Sequence, residues 1–153
     1  MRRSSDGIHW SEPLGAGLHQ EGLWAWHIEV QWIPSRGVFW ALYNVKPEQG
    51  CVTPALYLAE STDGYTWTVA SQPVVTKGVT PTLQDIVYRS TFEYDVTSDA
   101  LTMWISGARF DRGRYVWGAV VERRHRSALF APTATLVDPR LLAPAPAPLE
   151  DWP

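Results

Sequence analysis

Ser61-Thr62-Asp63-Gly64-Tyr65-Thr66-Trp67 decides the fold, because it repeats Ser4-Ser5-Asp6-Gly7-Ile8-His9-Trp10 at an offset of 57 residues. Both stretches spell S-x-D-G-x-x-W. Asp-Gly supplies the positive φ that a tight turn needs, and the Ser and Asp side chains bond back to the turn amides. Each tryptophan is expected to fold over its turn and bury between neighbouring sheets. Repetition at a spacing of tens of residues marks an array built from one supersecondary unit.

The segments between the turns read as strands. Trp26-His27-Ile28-Glu29-Val30-Gln31-Trp32 alternates apolar and polar residues with period 2, as a half-exposed strand does. Pro34-Ser35-Arg36-Gly37 turns the chain into a more buried strand from Val38 to Val45. Thr53 to Glu60 supplies a third strand and Tyr65 to Val69 a fourth. Four antiparallel strands in about 50 residues is the size of a propeller blade. A second unit follows the same plan, with strands from Asp85 to Tyr94, Leu101 to Ser106 and Arg114 to Glu122, and a degenerate one from Leu129 to Leu136. Trp32, Phe39 and Leu42 align with Tyr94, Leu101 and Trp104 at an offset of 62. Where a third turn should fall, the chain reads Arg124-His125-Arg126-Ser127 and the motif is lost. No stretch carries a capped helical stripe. The expected fold is all-β: an antiparallel β-propeller fragment over 1–138 with two four-stranded blades near 24–75 and 83–138. Residues 3–12 would form an N-terminal strand ending a preceding blade, and 139–153 an extended proline-rich tail.

Bulk properties exclude several function classes. With 13 basic and 16 acidic residues the formal net charge is -3, and a nucleic-acid partner needs a basic surface. Arg123-Arg124-His125-Arg126 is read as a solvated turn rather than a polyanion site. Cys51 is the lone cysteine, so no intrachain disulfide forms. No run of 18 apolar residues spans a membrane, and residues 1–7 hold no apolar h-region of a signal peptide. His9, His19, His27, His125 and Cys51 lack the spacing of a zinc site, and neither a phosphate loop nor a G-x-S-x-G elbow is present. No metal or cofactor is therefore expected. The positive signal is aromatic: nine Trp, six Tyr and four Phe give flat apolar faces with polar edges, suited to blade packing and to stacking on sugars.

The two S-x-D-G-x-x-W turns resemble the Asp-box in the compact variant found in five-bladed β-propeller glycoside hydrolases. The run Trp26 to Pro34 with Trp40-Ala41-Leu42-Tyr43 is similar to one blade of glycosyl-hydrolase-like proteins, and Asp85 to Phe92 with Ser106-Gly107-Ala108-Arg109 to the next. The likeness covers about residues 1–138, as C-terminal blades. It implies a carbohydrate ligand and, if other blades are supplied, cleavage of arabinosides, xylosides or fructosides by carboxylates on successive innermost strands. One carboxylate activates water and another, with a raised pKa, protonates the leaving oxygen.

In a propeller the first strand of each blade lines the central channel. On the first blade its polar face carries His27, Glu29 and Gln31, and on the second Asp85, Val87, Arg89, Thr91 and Glu93. Glu29, flanked by large apolar residues, is expected to serve as an acid, because desolvation disfavours the charged carboxylate. Asp85 is the second catalytic candidate, with Arg89 as its ion-pair partner. Glu29 and Asp85 are expected to point into one channel. His27, Arg89, Trp26 and Tyr88 are the expected sugar-binding residues, and Trp24 is a further stacking platform. Two other readings compete: a non-catalytic binding or assembly propeller whose ring closes by homo-oligomerisation or with blades from a partner, and an inactive fragment.

Overall fold

The computed structural model describes residues 2–13, 15, 17–20, 22–50 and 52–130. Two antiparallel sheets carry nearly all of the regular structure. Sheet A strings together β1 (His19–Gln20), β2 (Leu23–Ile33), β3 (Val38–Pro47), β4 (Ala55–Ser61) and β5 (Thr68–Val69), and β6 (Val75–Thr76) pairs with the start of β4. Sheet B consists of β7 (Ile86–Asp95), β8 (Ala100–Asp111) and β9 (Arg114–His125). A 3-10 turn, Pro81–Leu83, precedes β7, and one helical turn, α1 (Arg126–Leu129), follows β9.

The sheets stack face to face. Trp40, Leu42, Leu56 and Leu58 of sheet A bury against Phe92, Leu101, Met103 and Ile105 of sheet B. The other face of β3 and β4 holds a second cluster of Ala41, Tyr43, Val45, Ala55, Tyr57 and Ala59, packed with Leu18 and flanked by Trp67 and Val69. Sheet A is therefore apolar on both sides, as continuous runs such as Val38–Val45 require.

The two S-x-D-G-x-x-W turns form the same hydrogen bonds. In one, Ser61 Oγ accepts from Gly64 N at 2.8 Å, and Asp63 Oδ1 accepts from Tyr65 N at 2.7 Å and Thr66 N at 2.8 Å. In the other, Ser4 Oγ accepts from Gly7 N at 2.7 Å, and Asp6 Oδ1 from Ile8 N and His9 N, both at 2.8 Å. Gly64 and Gly7 take φ of 76° and 74°, the left-handed region where a Cβ is costly.

Those bonds also shorten the strands. The amides of Tyr65 and Thr66 belong to Asp63, so β5 begins only at Thr68. Residues 3–12 do not form the expected strand: Asp6 takes the Ile8 and His9 amides, and Ser11 N donating to Arg3 O closes the segment on itself. The expected fourth strand of the second unit is absent as far as residue 130. Leu129 ends α1, whose start is held by His125 Nδ1 accepting from Ser127 N, and the rest of that strand and the tail at 139–153 lie outside the described residues.

Arg123 to Arg126 is not a solvated turn either. It closes β9 and opens α1, with Arg123 on Asp95 at 2.9 Å, Arg124 on Val74 O at 2.8 Å and Arg126 on Asp99 at 3.1 Å.

Candidate functional site

Both first strands carry the same irregularity. The register of β2 against β3 shifts between Ala25 and Ile28, leaving Trp26 and His27 as a bulge. That of β7 against β8 shifts between Val87 and Ser90, leaving Tyr88 and Arg89. The bulges thus recur at the offset of 62 already seen in the sequence. A bulge inserts unpaired residues, kinks the strand and re-aims side chains.

β2 and β7 lie alongside each other and run the same way. Gln31 Nε2 donates to Phe92 O at 2.7 Å, and Thr91 Oγ1 donates to Glu29 Oε1 at 3.4 Å. The two bulges consequently meet. The His27 ring stands edge-on to Tyr88 at 4.8 Å, Trp26 to His27 at 5.7 Å, and Tyr88 to Trp117 of β9 at 5.2 Å. Such edge-to-face pairs complement ring quadrupoles. Four rings form one row, with Trp26 and Trp117 at its ends each 44% exposed. Lys46 Nζ sits 4.8 Å over the Trp26 ring and the Arg89 guanidinium 6.0 Å from Tyr88, so a cation flanks the row on each sheet.

Beneath the row the bulge backbones are anchored by buried polar groups. Asn44 Oδ1 accepts from His27 N at 2.8 Å. Thr53 Oγ1 donates to Val87 O, while Thr53 O accepts from Val87 N. Burial, and secondarily the Arg89 charge, hold the His27 imidazole below its usual range, so it is neutral near pH 7. Its Nε2 and the Nδ2 of Asn44 are buried without a hydrogen-bond partner. A separate cleft of about 530 Å³ runs past Leu18, Trp24, Ala25 and Glu48 and touches none of the four rings.

The structure therefore brings together Trp26, His27, Tyr88 and Arg89. Glu29 lies farther along β2, half-buried, within 3.3 Å of Gln31 Nε2 as well as beside Thr91. Asp85 precedes β7 and its Oδ2 accepts from Phe110 N at 2.6 Å. Burial, then the Asp85 charge, push the Tyr115 hydroxyl up. Thr91 is six residues beyond Asp85, roughly 20 Å at the rise of an extended strand. Carboxyls that act as one glycosidase pair stand about 5–10 Å apart, whereas Glu29 lies beside Thr91 and Asp85 stands at the other end of that stretch, beyond the bulge of β7. Nor is Asp85 paired with Arg89, which has no ion pair among the described residues.

The shared face expected for Asp85, Val87, Arg89, Thr91 and Glu93 is broken by the bulge. Val87 is fully buried, whereas Arg89, Thr91 and Glu93 are exposed. Trp117, Lys46 and Asn44 escaped the sequence reading. No local pattern marks them, although bulky residues at matching repeat positions, Trp26-His27 and Tyr88-Arg89, were a legible sign of the paired bulges.

No family model matches the chain. It is similar to the "A type blood N-acetyl-alpha-D-galactosamine deacetylase" of Flavonifractor plautii, 32% identical over 123 residues that cover 72% of this chain and 16% of that protein. The fold is shared with a solved enzyme. The crystal structure of an N-acetylgalactosamine deacetylase from F. plautii, in complex with blood group B trisaccharide, superposes with a TM-score of 0.69 at 22% identity, covering 89% of this chain and 44% of that one. The chain thus spans less than half of either relative.

Proposed function

We propose that the chain is a carbohydrate-recognising segment of a β-propeller, with sheets A and B as two consecutive blades and residues 1–138 as the propeller part. The observation that carries this reading is the four-ring row at the paired bulges, flanked by Lys46 and Arg89. A pyranose offers an apolar C–H face to Trp26 or Trp117, and hydroxyls that accept from Lys46 and Arg89 and donate to Glu29. The likeness to F. plautii deacetylase supports a sugar ligand of the N-acetylgalactosamine or blood-group trisaccharide type. Glycoside cleavage by Glu29 and Asp85 would require the two carboxyls to stand within about 5–10 Å of each other, and sugar binding does not. The ligand reading is accordingly the core of the proposal, and any hydrolysis belongs to a larger assembly.

The test is a titration of tryptophan fluorescence with blood group A and blood group B trisaccharides. Trp26→Ala and Trp117→Ala should each weaken binding about tenfold or more, equivalent to about 1.4 kcal/mol, while Trp10→Ala leaves it unchanged. Absence of binding by either sugar, or equal losses in all three variants, would overturn the proposal.

A further inference from the structure

The internal repeat assigns a partner to each free sheet face. On sheet A, Trp32 pairs with Phe39, Val30 with Ala41 and Ile28 with Tyr43. Ala41 and Tyr43 are fully buried, yet Ile28 and Val30 are 42% exposed and Trp32 48%. Moving 62 residues along the chain takes Val30, Trp32 and Ala41 to Phe92, Tyr94 and Met103. Those residues form the face of sheet B that packs on sheet A. The converse holds as well. Trp40 and Leu42, which face sheet B, correspond to Thr102 and Trp104, which lie on the free face of sheet B with Val121 opposite Trp104. Each free face is therefore the repeat counterpart of a face already engaged in the interface between the sheets.

We propose that the free face of sheet A, Ile28, Val30 and Trp32, receives the free face of sheet B, Trp104 and Val121, from a second copy of this chain. The contact continues the sheet-on-sheet stacking present within one chain. It is heterologous, joining two different surfaces, so its rotation either closes a ring or adds further copies. The apolar content fits: Trp104 is 40% and Val121 61% exposed, bordered by Thr91 and Thr102, which suits a face that becomes buried while staying soluble when free. The proposal rests on the repeat and not on the sugar-binding reading, although Trp26 shares the exposed side of β2 and Trp117 the side of β9 that carries Val121.

Mass measured by light scattering across a micromolar to millimolar dilution series tests it. The unmodified chain should rise from 17.2 kDa to at least twice that value. Val30→Lys with Trp32→Ser, and separately Trp104→Lys with Val121→Lys, should each remain monomeric. Mixed in equal amounts, the two variants should give a dimer and nothing larger, because each retains one intact and complementary face. A monomer throughout the series overturns the proposal, as does assembly that neither variant reduces or a mixture that stays monomeric. Should a variant lose its β circular-dichroism signal, oxidative footprinting of the unmodified chain decides instead. Trp32 and Trp104 must lose reactivity together as concentration rises, and protection of one alone, or of neither, overturns the idea.

Discussion

Sheets A and B are built on one repeat, bulge for bulge, yet they solve the same problem with different residues. At the hairpin after the first strand, sheet A uses Gly37 at φ 65° and sheet B uses Asp99 at φ 46°. Glycine enters the left-handed region freely. Aspartate tolerates it less well but brings a carboxylate, and Asp99 accepts from Tyr94 Oη at 2.6 Å and pairs with Arg126 at 3.1 Å and with Arg36 of the sheet A turn at 3.8 Å. At position 40, sheet A buries a tryptophan, whereas its counterpart in sheet B is the half-buried Thr102 on the free face. The repeat thus conserves backbone geometry, while burial decides the side chain.

The sharpest test of that difference is Trp40→Ala against Thr102→Ala. Trp40 is fully buried, stacks edge-on to Tyr94 at 4.7 Å and donates its Nε1 to Glu60 at 2.9 Å. Its loss should cost about 3–5 kcal/mol in urea unfolding, while Thr102→Ala should stay within about 0.5 kcal/mol. Similar costs at both sites would show that the two sheets are buried alike.

Gly107 is a second asymmetry, since sheet A has Val45 at the matching position. A Cβ at 107 would stand 2.3 Å from Ile86 O at the start of β7 and 2.4 Å from Leu83 Cδ2 of the 3-10 turn. Gly107→Ala should destabilise the protein by about 1–3 kcal/mol, the usual cost of overpacking. A neutral result in thermal unfolding would mean that the turn and the start of β7 both move aside freely.

The two S-x-D-G-x-x-W turns offer the same kind of contrast on a smaller scale. Trp67 is half-buried against sheet A, but Trp10 is 56% exposed with no sheet of its own beneath it. Ser61 is buried, so Ser61→Ala strands the Gly64 amide and should cost about 1–3 kcal/mol. Ser4→Ala, with the same bonds in water, should cost no more than a few tenths of a kcal/mol. Equal costs in calorimetry would show that the first turn is as well supported as the second.

The smallest effect is one of pH. Bonds from Ser98 and Arg123 lower Asp95 to about 2, and the Tyr94 hydroxyl, assisted by Arg126, lowers Asp99 as well. A carboxylate depressed on folding contributes stability above its unfolded value, near 3.8, that is lost as pH falls toward the folded one. Protection of the Thr97 and Ser98 amides relative to their intrinsic exchange rates should therefore fall between about pH 4 and pH 2, while Arg36 and Gly37 in the sheet A turn lose protection later. Asp95→Asn should flatten the response. A simultaneous change in both turns would mean that the sheets unfold as one at that pH.

Local chemistry by itself determined the turns and the strands. Asp-Gly with a serine two residues earlier has one economical set of hydrogen bonds, and period-2 alternation admits little but β structure. The sequence therefore sufficed for two sheets, their order along the chain and the repeat at 62. Which face of β2 met water was a different matter. Alternation shows that two faces differ, but His27, Glu29 and Gln31 turned toward sheet B while Trp26, Ile28, Val30 and Trp32 stayed exposed, because the neighbouring sheet and not side-chain polarity sets burial. The same holds for the site. Trp26, His27, Tyr88 and Arg89 could be picked out one by one, yet only the paired bulges brought the three rings into a single row with Trp117 and Arg89 beside it, and only the packing of β2 along β7 set Glu29 next to Thr91. Distance between strands is a tertiary quantity, and no residue carries it alone.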